Sequence, residues 1–298
     1  MEEFMHSNIT YLNFIQWLST KLRTVRVSLS IPKSSRNPLV IKRELTGIES
    51  VLGAYSWKSS WIDKTGQRVD SQSWITTKDS LRALSFNLRS LCASKESTDR
   101  DILEACKSIL VWGGERDATK GASRFLDSLV ADRKLKAYLN EVKEVFRLDS
   151  KFGPLSGEVA EMNSMLTKIH ALMSDDGLPI YDSRVAAAAA SFVEIYSRDV
   201  ESNFVCPREL IFPAVGGGGE RRSVSRLFPD CIKPRVLRYG QPRTSHEWAL
   251  AKWHLGRVFR DLLDHDSRLF ASEGNSSERA HALEASFFMI GYDVRCLA

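Results

Sequence analysis

Five consecutive alanines, Ala186–Ala190, constrain this chain more than any other feature. Alanine is the best helix former and carries no bulk beyond Cβ, so the run predicts a helix that neighbours approach closely. Such a helix fits a buried, central position. The residues before it set its start. Gly177 and Pro179 mark a loop, and Asp182 stands where the first helical turn needs an acceptor for its unpaired N–H groups. The helix dipole also stabilises an ionised carboxylate there. Asp182 therefore reads as an N-cap, and a carboxylate at the mouth of a buried helix reads equally as a catalytic group.

The pattern is helical almost throughout. Leu81, Leu84, Leu88 and Leu91 recur at helical spacing behind a capping box expected at Thr76 and Asp79. Thr98 and Asp101 repeat the signal ahead of Leu103, Cys106 and Leu110, and Gly113 and Gly114 in "WGG" stop that helix. Leu135 to Phe146, Met162 to Met173, Trp248 to Leu263 and Asn275 to Tyr292 predict further helices, the last capped by Asn275 with Glu278. Strand signals are few. "VRVSLSI" alternates and ends at Pro32, while "YSWKSSW" and "QSWITT" read as short extended pieces. The expected class is all-α. Three regions are expected: 1–76, basic with lead-in helices; 77–204, a helical lobe; and 205–298, a basic loop with closing helices. That loop contains "VGGGGERR", where Gly-rich backbone beside Arg221 and Arg222 suits phosphate wrapping or a mobile surface loop. It lacks the Gly-Lys-Ser/Thr ending of a nucleotide-triphosphate loop.

Charge is uneven along the 298 residues. Phe4 to Arg43 holds seven basic residues and no acid, and Val205 to Arg260 holds eleven against four acids. Two basic tracts flanking a slightly acidic middle suit either a polyanion-binding face or ordinary solvated helix surfaces. No apolar run reaches the roughly 18 residues of a membrane span. Glu2 and Glu3 lack the order of a signal peptide, so a cytoplasmic protein is expected. Five scattered cysteines without a CxxC pair predict buried free thiols, neither a disulfide framework nor a zinc site.

Lys168 lies in "EMNSMLTKIHALM", at the border of an apolar face made by Met165, Leu166, Ile169, Leu172 and Met173. Two readings fit it. Desolvation would lower its pKa and free a nucleophilic lone pair; alternatively, the side chain runs along apolar surface to water. The short loop "SDDGLP" makes its helix and the alanine helix an antiparallel hairpin, which directs Lys168 and Asp182 toward one cleft.

A lysine helix, a bend, and "LPIYDSRVAAAA" leading the next helix resemble the helix-hairpin-helix DNA glycosylase superfamily, closest to its 8-oxoguanine branch. About 35 residues carry the resemblance. It implies a two-lobed all-α fold with a central DNA-binding cleft, into which a duplex nucleotide is flipped. It implies a glycosylase that excises an oxidised purine or a hypermodified base of foreign DNA, with AP-lyase activity if Lys168 attacks C1′ while Asp182 stabilises the developing charge. Trp112, and Phe287 or Phe288 of the last helix, read either as base-pocket rings or as plain core aromatics, and Arg184, Arg221 and Arg222 are candidate DNA contacts. The superfamily's Leu-x-Gly-x-Gly hairpin has its nearest counterpart in "FGPLSGE", with Gly153 and Gly157. No cofactor or metal is implied, and a monomer acting on double-stranded DNA is expected. A non-catalytic DNA-binding module and a helical protein-interaction domain are the alternatives.

Overall fold

The computed structural model describes residues 2–115, 117, 119–151, 153–155, 157–200, 204–216, 220–231, 235–239 and 242–298. Helix accounts for 58% of it, in ten α-helices, but three two-stranded sheets among the described residues correct the all-α expectation. α1 (Glu2–Thr24) leads into an antiparallel hairpin of β1 (Arg26–Ile31) and β2 (Ile41–Thr46), then α2 (Ile48–Gly53). A second hairpin, β3 (Ser59–Ile62) with β4 (Arg68–Ser71), precedes α3 (Trp74–Ala93), α4 (Asp99–Gly113), α5 (Gly121–Ala131), α6 (Leu135–Val145) and α7 (Leu166–Met173). α8 (Ser183–Asp199) follows. The basic loop holds a short parallel pair, β5 (Ala214–Val215) and β6 (Val236–Leu237), before α9 (Pro242–His265) and α10 (Ser276–Ile290).

Local chemistry explains most boundaries. β1 buries Val27, Leu29 and Ile31 on one face, the alternation its sequence shows. Thr98 and Asp101 form a reciprocal capping box on α4, and Gly114 ends that helix in the left-handed conformation. Asn275 caps α10 by accepting from the Glu278 N–H at 3.0 Å. Two expectations need correction. "QSWITT" is not extended but the start of α3, and the cap is Ser73 rather than Thr76 with Asp79. β-Prone residues yield there because Trp74 is buried and its indole N–H donates to Glu273 at 2.7 Å. Cys206 is exposed, while the other four cysteines are buried and free.

The helix packing sorts into two groups sharing one continuous core. The β3–β4 hairpin and α3–α7 form one. The other is α1, α2, α8, α9 and α10 with the β1–β2 hairpin. The chain thus returns to its own beginning, and position 204 is not a packing boundary: α8 leaves the 77–204 region to pack on α10 and α1. Its alanines make that possible. Ala186 through Ala189 are buried, and α10 runs along them until Gly291 abuts the backbone of Arg184. A cavity opens where the two groups meet. Among the described residues no helix is long and apolar enough to cross a membrane.

Candidate active site

Residues 178–181 form a buried strap joining α7 to α8, and side chains from three helices hold its polar groups. The Pro179 carbonyl accepts from Lys252 Nζ, and the Ile180 N–H donates to Glu284 Oε2 at 2.9 Å. The Tyr181 N–H donates to Thr167 Oγ1 at 2.9 Å, and its carbonyl accepts from Trp248 Nε1 at 2.9 Å. A buried backbone group without such a partner would cost about 1–3 kcal/mol. The strap delivers Asp182 in extended conformation to the first turn of α8. There its Oδ1 accepts the N–H groups of Arg184 at 2.8 Å and Val185 at 3.1 Å. The capping role is therefore met by one oxygen of the carboxylate. Asp182 is half-buried and lines a cavity of about 410 Å³.

Lys168, in the first turn of α7, lines the same cavity and is only 8% exposed, so it does not run to water. Burial pushes its amine below the ordinary lysine range; Asp182 and Glu284 oppose that shift, while Arg184 and Arg36 reinforce it. Its Nζ donates to the Ser164 carbonyl at 2.5 Å. Gly113 makes room for it: a Cβ there would stand 2.6 Å from Lys168 Cδ. The "WGG" that ends α4 is thus also the clearance for the lysine stem.

Aromatic rings dominate the rest of the lining. Trp112 and Phe288 are there as expected, joined by Tyr55, Trp57 and Trp74. Phe287 is not: it is buried in the core between Phe192 and Phe259, each 5.1 Å away by ring centroid. Successive residues of a helix face different directions, so only one of Phe287 and Phe288 reaches the cavity. Trp112 is 5% exposed, and its indole N–H has no acceptor among the described residues. Glu284 brings a buried carboxylate to the lining, its Oε2 also 3.1 Å from His281 Nδ1.

The expected DNA contacts divide. Arg184 lies in the wall, its guanidinium 4.2–4.7 Å from the ring centroids of Trp57, Phe288 and Tyr292. Arg222 also lines the cavity and donates to Ser183 Oγ at 2.6 Å, whereas Arg221 is exposed and outside it. Arg36, from the first basic tract, meets Arg222, from the second, at this one cavity. Gly153 and Gly157 lie between α6 and α7, away from the lining. Gly153 packs against the Trp253 ring, and Gly157 has open space around it. Phe152 and Gly217–Gly219 of the two glycine segments lie outside the described residues.

Sequence reasoning missed Tyr55, Trp57, Trp74, Glu284 and Lys252. "YSWKSSW" and "QSWITT" did signal the rings, as an unusual density of aromatics in irregular chain. Nothing local marks Glu284 as buried. No group of three or more His, Cys, Asp or Glu among the described residues could hold a metal ion. No family model matches the chain, nor does any curated protein or solved structure.

Proposed function

We propose that this protein is a DNA glycosylase, with a helix-hairpin-helix glycosylase-like fold, that receives a flipped, modified base in the aromatic cavity. The observation that carries the reading is the convergence of a buried lysine and a helix-capping carboxylate on one ring-lined cavity. Aromatic faces stack an extrahelical base, and cationic groups at the same cavity suit its phosphates. Trp112 Nε1 offers a donor and Glu284 an acceptor, which suits a heteroaromatic ring carrying both a carbonyl and an N–H.

In the proposed reaction the neutral Lys168 amine attacks C1′ of the target sugar. The C1′–N bond breaks, its electron pair leaves with the base, and the base takes up the proton released by the amine. Opening of the C1′–O4′ bond, with O4′ taking up a proton from water, then gives a protonated Schiff base on Lys168. The Asp182 carboxylate offsets positive charge growing at C1′, a role that preorganised charge fills best away from water. The lowered pKa of Lys168 favours the neutral amine that this attack requires.

The test is mass spectrometry of bases released from duplexes carrying varied oxidised and hypermodified bases. Release of a defined base supports the reading, and borohydride trapping on the same duplex reports the lyase step. Salt-sensitive DNA binding with no base released from any duplex would reduce the protein to a binding module.

A further inference from the structure

Trp248, Lys252 and Gly256 follow one another at four-residue spacing on α9, so they share a face of that helix. That face lies against the strap. A Cβ on Gly256 would stand 3.2 Å from Pro179 Cδ and 2.6 Å from Leu148 Cδ2, so glycine sets how near α9 comes. Trp248, 2% exposed, donates its indole N–H to the Tyr181 carbonyl at 2.9 Å. Lys252 has no exposed surface at all. Its Nζ donates to the Thr167 carbonyl at 3.0 Å and to the Pro179 carbonyl.

A buried lysine is an expensive way to fill space, and a methionine would fill it with no polar group to satisfy. Burial pushes the Lys252 amine well below its ordinary range. Lys252 directs its N–H groups at two carbonyls. Their places in the chain are telling. Thr167 is the residue before Lys168, and Pro179 lies three residues before Asp182. Tyr181, held by Trp248, directly precedes Asp182. One helix face thus ties together the backbone beside both reacting groups, although neither of its side chains lines the cavity.

We propose that Trp248 and Lys252 are positioning residues: the α9 face sets the placement of the Lys168 amine relative to the Asp182 carboxylate. What those two groups do rests on the glycosylase reading; how they are held does not. The charged groups acting on Lys168 are Asp182 and Arg184 of α8, Glu284 of α10 and Arg36 of the β1–β2 connection, and Lys168 in turn acts on Lys252 of α9.

Two substitutions in the full chain test this, Lys252→Met and Trp248→Phe, each with two readouts. The first needs no DNA. Reductive methylation with formaldehyde and cyanoborohydride, mapped by peptide mass spectrometry across pH, gives the pH at which Lys168 is half-reactive relative to exposed lysines. Native Lys168 is expected to react at lower pH than the exposed lysines, and both substitutions move its midpoint upward as water reaches the loosened strap. The second is single-turnover base release against duplex affinity. Release is expected to fall about 10–100-fold, as small misplacements of reacting groups do, with affinity within about threefold of native. Lys252→Gln, which keeps two N–H donors, recovers part of both readouts. Folded variants with native midpoints and native release would overturn the proposal, even with a lowered melting temperature, because the contacts would then serve stability alone. If Lys252→Met does not fold, Trp248→Phe, which loses one N–H and keeps a smaller aromatic ring, decides on the same readouts. Native protein that releases no base while the midpoint still shifts would overturn the glycosylase reading and leave the positioning role supported.

Discussion

The strap that carries Asp182 and the aromatic wall of the same cavity treat polar groups in opposite ways. Along the strap, the Pro179 and Tyr181 carbonyls and the Ile180 and Tyr181 N–H groups are all bonded to side chains from α7, α9 and α10. In the wall, the Trp112 indole N–H and the Arg184 Nε are buried and have no acceptor among the described residues. Satisfied groups rigidify, whereas an unsatisfied buried donor is a cost that a ligand acceptor can remove. In the proposed function, reaction falls to the strap side and ligand reading to the wall side.

Substitutions on the two sides are therefore expected to separate rate from binding. Asp182→Asn has the largest effect. Asparagine caps a helix almost as well, so melting temperature stays near native while base release falls on the order of 10²–10³-fold. Lys168→Gln removes the borohydride-trapped adduct entirely. Base release that continues without the adduct would leave water, supported by Asp182, as the attacking group. Gly113→Ala comes next. The new Cβ meets the lysine stem, costs about 1–3 kcal/mol in thermal unfolding, and lowers adduct yield.

On the wall side, Trp112→Phe keeps a ring and deletes the unpaired donor. Ligand affinity is expected to weaken by about 1–2 kcal/mol in titration calorimetry, with no loss of melting temperature. A large rate loss with unchanged affinity would break the division of labour. The smallest effect concerns His170, which sits two residues beyond Lys168 yet has neither ring nitrogen bonded among the described residues. Burial lowers its pKa to about 3, with Lys252 adding to the shift. The unfolded chain takes up that proton first, so the related stability is complete above pH ~6.5 and is lost as pH falls toward 3. His170→Leu should flatten that part of the melting temperature against pH.

How much of this was legible in the sequence depends on how local each signal is. The caps at Asp182, Thr98 and Asn275, the glycine stop after Trp112 and the buried alanine helix all stand where their neighbours in the chain put them. The caps and the glycine stop rest on bonds within one turn. The meeting of Lys168 with Asp182 at one cavity was also legible, because a short connection links α7 to α8, although the two helices pack on different partners and not on each other as an antiparallel hairpin. Thr76 misled because Ser73, three residues earlier, offers an equally good cap and brings Trp74 inside the helix. Phe287 and Phe288 were indistinguishable in sequence, since the weak amphipathicity of α10 leaves its facing to the helices around it.

Sequence alone determined a mostly helical chain, the start of α8 and the meeting of Lys168 with Asp182 at one cavity. Tertiary structure decided what surrounds them. Trp57, Trp112 and Phe288 come from three distant parts of the chain, and their convergence follows from packing of non-neighbouring elements that no local pattern encodes. The same holds for Lys252. In sequence it is one cation in a basic tract, yet it is wholly buried, with two backbone carbonyls, each more than 70 residues away, accepting its hydrogen bonds. A side chain's type is written in the sequence, but its solvent exposure belongs to the assembled fold, and exposure is what turns a surface lysine into a buried one.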